Sequence, residues 1–447
     1  MIRALSGLAI LLAFILSLAG CAPATVDPAN VLGRWEGYTP AGYRVVLQLQ
    51  SGNIARLSKL APKAGGFPEH RFSWHLSGQS ILVQTGTATP LRLSLRRGEL
   101  VDEDSGLRLQ RSGPLAGFRY PLLAAFIALA VTWLATPWVR KLAFARGAVD
   151  DPTRDDRRVH KEPLPRWGGI AIYGGFLASL LAVLPFAFPG KAMPFPPYLL
   201  GIVGIGAAVV AVGALDDMKQ FSAKVQAVFL LAAGAGVTLC GIHDRARVLI
   251  AGLNWPPFVD SPRWVGFGLW AIPITAVYVF VVTKTMDTID GIDGLASGIA
   301  AIGGGTLSII ATYEGQPRVA LVTAALAGSA LGFLRHNYNP AKIIMGTGGA
   351  QFLGFALATL SIVGAMKTAA ALMILIPVFV FGVPLFDAVQ VVIRRRLSGV
   401  PITQADKRHI HHQLLDRGLS QRQAVWVLYI IAFLLCALLI LAVKLRA

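Results

Sequence analysis

The chain has 447 residues, of which 55% are hydrophobic and only 14% charged, with a mean hydropathy of +0.61 and a formal net charge of +18. A soluble domain is normally about a quarter charged, so this composition excludes an ordinary soluble enzyme and, with several apolar runs near membrane-spanning length, reads as a polytopic membrane protein. The positive charge does not indicate nucleic acid, because the basic residues gather in loops between apolar runs; three cysteines, Cys21, Cys240 and Cys436, make no disulfide framework.

Arg3 precedes an apolar run over residues 4–19, which ends in Leu18-Ala19-Gly20-Cys21. This reads as a secretory signal, with residues 1–21 resembling a bacterial lipoprotein processing site at which Cys21 is lipidated; an uncleaved anchor helix is the alternative. Either reading places residues 22–112 outside the cytoplasm. That segment contains short runs with partial alternation at 44–50, 80–84, 91–96 and 107–111, separated by Gly, Pro, Asp and Ser, and reads as a small antiparallel β domain. Gly33-Arg34-Trp35-Glu36-Gly37 and Ser73-Trp74-His75 faintly resemble the small β-barrels of envelope lipoproteins. Trp35 and Trp74 are expected in its core. His70 and His75, expected in a loop and a strand, do not suggest a metal site.

Ten spans are expected in the remaining part, 113–447, at roughly 117–138, 169–188, 197–215, 224–241, 265–283, 295–313, 318–334, 349–363, 368–388 and 424–443, the eighth short and interrupted. Gly201, Gly204, Gly206 and Gly213 line one helix and serve close packing. Segments 139–168 and 394–422 are rich in Arg and Lys, whereas 189–196 and 314–317 are nearly free of them. The positive-inside rule therefore runs the first span from outside to inside, in agreement with an exported N-terminal domain; Lys444 and Arg446 fall outside on this count and weakly oppose it. The fold class is mainly α, a bundle of about ten transmembrane helices preceded by a small extracytoplasmic β domain.

Every polar cluster then falls on the cytoplasmic face. His160 and Lys161 open the connector His160-Lys161-Glu162-Pro163-Leu164-Pro165-Arg166-Trp167-Gly168-Gly169, where Lys161 and Arg166 could meet phosphate or simply anchor the chain. Asp216-Asp217 end a long apolar span, followed by Lys219. One carboxylate would suffice for capping; two suit a divalent cation together with a base. Thr283-Lys284-Thr285-Met286-Asp287-Thr288-Ile289-Asp290-Gly291-Ile292-Asp293-Gly294 carries acids at every third position, and reads either as an acidic loop or as a metal–phosphate site. Lys342 and Thr347 lie in a glycine-containing connector whose amides could approach an anion. Arg408, His409, His411 and His412 have no usual zinc spacing and suit phosphate or sugar oxygens better. Together these groups fit a phosphate-bearing substrate with Mg²⁺, or Mn²⁺ in its place, and a water-soluble nucleotide donor joined to a lipid acceptor. A transporter would place such acids nearer the membrane midplane.

From about residue 120 to 440 the chain resembles the polyprenyl-phosphate N-acetylhexosamine-1-phosphate transferases. The resemblance rests on Val149-Asp150 with His160 to Gly169, Asp216-Asp217, Asp290-Gly291-Ile292-Asp293-Gly294 and His409-Ile410-His411-His412, in that order. The last motif, with Leu414 to Gln423 after it, looks closer to the branch that initiates envelope glycans from UDP-N-acetylglucosamine and undecaprenyl phosphate than to the peptidoglycan branch. The resemblance implies a catalytic set of Asp216, Asp217 and Asp290. It implies Mg²⁺ beside Asp217 and Asp290, and substrate contacts from His160, Lys161, Lys219, Asp293, Lys342, Arg408, His409, His411 and His412. The expected partners are a UDP-sugar donor, a polyprenyl phosphate and the membrane, with an envelope partner for the β domain and a homodimer compatible with the sequence and no nucleic acid. The expected location is the bacterial inner membrane.

Two departures stand out. The family has Met-Gly-Asp where this chain has Met345-Gly346-Thr347, and Asn-Ala-x-Asn where this chain has Lys284-Thr285-Met286-Asp287. A carboxylate is lost at 347 and one gained at 287, so Asp287 is expected to restore metal charge from another wall of the site. The rival expectation is a degenerate member that binds nucleotide or lipid carrier as a regulatory membrane protein.

Overall fold

The structure is a computed structural model. It describes residue 31 and residues 33–446 apart from 39–43, 51–53, 61–69, 78–79, 86–89, 97–98, 103, 112–115, 151–162, 189–193, 242–246, 256–262, 315, 366–378 and 398–408. The expected signal and Cys21, and the expected contacts from His160, Lys161 and Arg408, lie outside the described residues. The chain divides into two compact units, one within residues 1–117 and one beginning at Phe118.

The first unit is a closed barrel of eight strands, each antiparallel to the next: β1 (Gly33–Tyr38), β2 (Arg44–Gln50), β3 (Ile54–Leu60), β4 (His70–Ser77), β5 (Ser80–Gln84), β6 (Leu91–Arg96), β7 (Glu99–Asp102) and β8 (Arg108–Arg111). β8 returns to β1 with Trp35 opposite Arg111 and Tyr38 opposite Arg108, so no sheet edge is left open. Alternate positions point inward, which is why Trp35, Leu47, Leu49, Ile81, Val83, Leu93, Leu100 and Leu109 are all but sealed from solvent. The Trp35 indole N–H donates to the Val31 carbonyl at 2.8 Å, satisfying the one polar atom that side chain brings into the core. Trp35 and Trp74 are core residues, as expected. His70 is not in a loop: it begins β4, the strand that also carries His75.

The second unit is helical: α1 (Arg119–Ala145), α2 (Gly168–Ala187), α3 (Pro197–Lys219), α4 (Ala223–Leu239), α5 (Ala271–Ile289), α6 (Leu295–Tyr313), α7 (Pro317–Asn337), α8 (Gly346–Ala365), α9 (Gly382–Leu397), α10 (Ile410–Asp416) and α11 (Gln421–Arg446). Short ladders pair β9 (Val149–Asp150) with β10 (Leu164–Pro165), and β11 (Gly252–Trp255) with β12 (Arg263–Gly266). Among the described residues, eight helices are long and apolar enough to cross a membrane, and of two shorter apolar helices Ala223–Leu239 occupies the fourth expected span while Gly382–Val391 overlaps only the end of the ninth, most of which lies outside the described residues. The eighth span is neither short nor interrupted. α8 runs unbroken for 20 residues and is the most enclosed of the eight, 94% buried over its apolar window against 28% for α1. A central helix gains its stability from contacts on every side, so its Gly and Ser content, which blurs the hydropathy signal, serves close packing.

α8 begins where α2 and α3 press against it, with Gly169 and Gly213 each in close contact with the Gly348–Gly349 backbone. Of the glycines expected to pack along α3, Gly201 meets Cys240, Gly206 meets Phe352 and Gly213 meets Gly348, but Gly204 faces open space. α5 extends further than expected, through Ile289, so Lys284 and Asp287 sit on its last turns and only the stretch from Asp290 is a turn.

Candidate functional site

Helix ends build the site. α3 ends at Lys219 with its chain turned by Gln220, which takes a left-handed conformation at φ 54°. Asp216 directs its carboxylate into that turn, where Oδ1 accepts the Phe221 N–H at 2.7 Å and both oxygens accept from Gln226 Nε2 at 3.1 Å. Asp217 points elsewhere. Its side chain is 1% exposed, and Oδ1 lies 3.1 Å from Arg166 Nε while accepting the Thr347 N–H at 3.0 Å. Its other oxygen, Oδ2, is buried without a hydrogen-bond partner. The adjacent acids therefore divide the work: Asp216 shapes the end of α3, and Asp217 presents an unpartnered oxygen.

Arg166 also reaches Asp150 Oδ1 at 3.2 Å, and Asp150 is held opposite Leu164 by the β9–β10 ladder. The guanidinium thus bridges the first connector and the end of α3, a fixed fork suited to carboxylates. Thr347 follows Gly346, the first residue of α8, whose φ of +71° favours glycine and whose missing Cβ leaves room for the Arg166 carbonyl and Asp217 Oδ2.

The central motif faces this group from α5. Lys284 Nζ donates to Asp287 Oδ2 at 2.6 Å and to Gln226 Oε1 at 2.9 Å. A polar chain therefore runs from Asp287 through Lys284 and Gln226 to Asp216. Asp290 caps α5. Desolvation first, then the Asp287 carboxylate, push the Asp290 carboxyl well above the usual carboxylate range; Arg166 pulls it down, and Asp217 and Asp293 push it up. Asp290 thus feels the carboxylates of Asp287, Asp217 and Asp293. Asp293 is committed to the connector after α7: its Oδ2 accepts from Asn339 Nδ2 at 2.9 Å and from the Ala341 N–H at 3.0 Å. Gly294, at φ +83°, turns the chain into α6, with its N–H donating to Asn337 Oδ1 at 3.0 Å and its carbonyl accepting from the Tyr429 hydroxyl at 2.5 Å.

Of the remaining expected site residues, Lys219 and Lys342 are exposed. His409 Nδ1 lies 2.7 Å from Asp387 Oδ2, and His411 and His412 lie in α10. Sequence reasoning missed Gln226 and Asp387. Neither stands in a charge cluster, and only the fold brings them to the motif residues.

The residues fit a divalent cation in a limited sense. Among the described residues no three His, Cys, Asp or Glu side chains close around a metal by themselves. Mg²⁺ keeps several waters and takes one or two carboxylates together with substrate phosphates, so a preformed cage is not required. The partnerless Asp217 Oδ2 and the charge repulsion at Asp290 are what a cation would relieve. The expected compensation by Asp287 is altered by one finding: Asp287 is paired with Lys284, so the two together add no net charge.

A multi-pass membrane bundle with an acidic and basic cluster at its helix ends defines a membrane enzyme acting on charged substrates. A family model described as Glycosyl transferase family 4 matches residues 199–365. The chain is 35% identical over 314 residues to a probable undecaprenyl-phosphate N-acetylglucosaminyl 1-phosphate transferase of Bacillus subtilis, covering 70% of this chain and 82% of the relative. It is 29% identical to a decaprenyl-phosphate N-acetylglucosaminephosphotransferase of Mycolicibacterium smegmatis, over 74% of this chain and 84% of that protein. It is 25% identical to an undecaprenyl-phosphate alpha-N-acetylglucosaminyl 1-phosphate transferase of Escherichia coli K12, over 68% and 79%. The chain belongs to glycosyl transferase family 4.

Proposed function

We propose that this protein transfers N-acetylglucosamine 1-phosphate from UDP-N-acetylglucosamine to undecaprenyl phosphate, starting a cell-envelope glycan at the cytoplasmic face of a bacterial inner membrane. The observation that carries the reading is Asp217, a buried carboxylate with one oxygen held by Arg166 and Thr347 and the other without a hydrogen-bond partner, within electrostatic reach of Asp290. The names of the relatives supply the lipid acceptor and the N-acetylglucosaminyl 1-phosphate group; the UDP carrier is what the sequence leads us to expect.

In the reaction an oxygen of the lipid phosphate attacks the sugar-linked phosphorus of the donor. A new phosphorus–oxygen bond forms, the bond to the bridging oxygen breaks, and UMP leaves with the electron pair. The product is a polyprenyl-diphosphate sugar. Two anions must meet, so the site has to offset their repulsion. Asp217 and Asp290 would hold Mg²⁺, which supplies charge neutralisation for the phosphates. Arg166 holds and aims Asp217, and the Thr347 amide fixes the same oxygen. Asp216 holds the α3 turn that sets the direction of Asp217. Lys219, Lys342, Arg408 and the histidines at 409, 411 and 412 would supply positive or hydrogen-bonding groups to nucleotide and phosphate. Residues 22–112 form the extracytoplasmic part, after a signal over residues 1–21.

The test is incubation of the purified protein with UDP-N-acetylglucosamine, undecaprenyl phosphate and Mg²⁺. One UMP released per lipid-linked sugar is expected. UMP without lipid product, or neither product, contradicts the reading.

A further inference from the structure

The histidine turn is tied to the bundle by a carboxylate outside every motif. Asp387 lies in α9 and is 2% exposed. Its Oδ2 is 2.7 Å from His409 Nδ1, and its Oδ1 accepts the Ile410 N–H at 2.7 Å. Two consecutive residues at the start of α10 thus converge on one carboxylate from another helix. α10 has only seven residues, and its N-cap residue, His409, makes no side-chain cap hydrogen bond. A helix that short does not hold itself. Asp387 does what a capping side chain would do, accepting an N-terminal N–H and placing negative charge at the positive end of the helix.

The same contact sets the ring. An ionised carboxylate only accepts hydrogen bonds. Its hold on Nδ1 therefore places a proton on that nitrogen and leaves the ring's acceptor lone pair at Nε2. Carboxylate–imidazole contacts of this kind orient a histidine and fix its tautomer. A buried carboxylate needs such partners, so the pairing is also what makes Asp387 tolerable in the bundle.

We propose that Asp387 is a positioning residue for the donor site: it fixes the tautomer and orientation of His409 and the start of α10 for contact with the phosphates of the nucleotide sugar. This rests on the reading that the histidine turn meets the donor. Asp387 itself touches no substrate.

The test compares the full-length parent with Asp387→Asn and Asp387→Glu. Asn preserves size and can still accept the Ile410 N–H, but its amide group donates to Nδ1 and drives the proton to Nε2. Glu keeps a charged acceptor. The readouts are the ¹⁵N shifts of the His409 ring in histidine-labelled protein, assigned with His409→Asn, and KM and kcat for UDP-N-acetylglucosamine. Expected are an Nδ1–H ring in the parent, an Nε2–H ring in Asp387→Asn and an Nδ1–H ring retained in Asp387→Glu. KM in Asp387→Asn should rise about ten- to a hundredfold with a smaller change in kcat, and Glu should recover part of that loss. An unchanged tautomer in Asp387→Asn, or a fall in kcat with KM unmoved, overturns the proposal. If Asp387→Asn does not fold, the Glu variant decides: loss of the Nδ1–H ring there overturns the proposal, and its retention supports it. A parent that turns over no UDP-sugar while its ring switches as described contradicts the proposed function and still supports the hold of Asp387 on His409.

Discussion

Asp217 and Asp216 stand side by side in sequence yet do different things, because successive residues near the end of a helix point about 100° apart. Asp216 turns into the α3–α4 connection and spends both oxygens on Phe221 and Gln226. Asp217 turns toward Arg166 and Thr347. Replacing Arg166 by Ala removes the cation nearest to a buried carboxylate, so transfer should fall by about a hundredfold or more, with Lys restoring only part because it lacks the planar fork. Initial rates at saturating substrate check this, and equal rates for the Lys and Ala variants would contradict a role for guanidinium geometry. Lys284 gives the opposite expectation. Its ammonium pairs with Asp287, so Lys284→Met leaves an unpaired carboxylate facing the site. The Mg²⁺ concentration that half-maximally raises the thermal midpoint should then fall; a rise or no change would show that Asp287 does not face the cation. The acids themselves were legible in the sequence because charge at the end of an apolar run is costly without a purpose. Lys284 was legible only as an oddity. Its pairing, which cancels the charge of Asp287, depends on helical spacing at i and i+3, and that became visible only once α5 proved to continue through Ile289.

At the scale of elements, the site is a meeting of helix ends, and each end is pinned by a partner distant in sequence. The turn from Asp290 to Gly294 is held by Asn337 at the end of α7, which accepts from the Gly294 N–H and the Ser297 hydroxyl and donates to the Ile343 carbonyl. Asn337 is 1% exposed, so Asn337→Ala strands buried polar groups and should cost about 1–3 kcal/mol of stability. A fall in the thermal midpoint of the detergent-solubilised protein checks this. The start of α8 depends on Gly346, where an added methyl group would meet both the Arg166 carbonyl and Asp217 Oδ2 at a positive φ. Gly346→Ala should abolish transfer while leaving the protein helical, as read by circular dichroism; an active Gly346→Ala enzyme would place the reacting groups away from this corner. Hydropathy located nearly every helix, since length and apolarity are one-dimensional properties. It misjudged α8 because a fully enclosed helix is made of small and polar residues that pack against neighbours rather than lipid, and it stopped α5 early because Lys284 and Asp287 look like the end of a span. Asp387 went unread although it falls at the end of the expected ninth span, 368–388, where an acid is costly; its partner became visible only when α10 was seen to dock on it.

At the scale of the whole molecule, the chain joins an eight-stranded barrel to a helical membrane bundle, each with its own core. The barrel was half legible. Four runs with partial alternation became strands at nearly the expected limits, while β1, β3, β4 and β7 were not read as runs because polar and charged residues break their alternation, and in β7 the acids Glu99 and Asp102 are themselves buried. Because each unit packs within itself, a chain in which residues 22–112 are removed behind the same N-terminal segment should retain transfer within about twofold of the parent; a loss beyond that would mean that the barrel contributes to catalysis. The cluster of Asp217, Asp290, Arg166 and Thr347 is the part on which the function depends. The decisive measurement is transfer from labelled UDP-N-acetylglucosamine to undecaprenyl phosphate across a Mg²⁺ series, with the parent, Asp217→Asn and Thr347→Asp side by side. Mg²⁺-dependent product from the parent and none from Asp217→Asn is the expected result. Equal product from the parent and Asp217→Asn, or product from Thr347→Asp alone, would contradict it, the latter showing a chain that keeps the fold but has lost its catalytic metal.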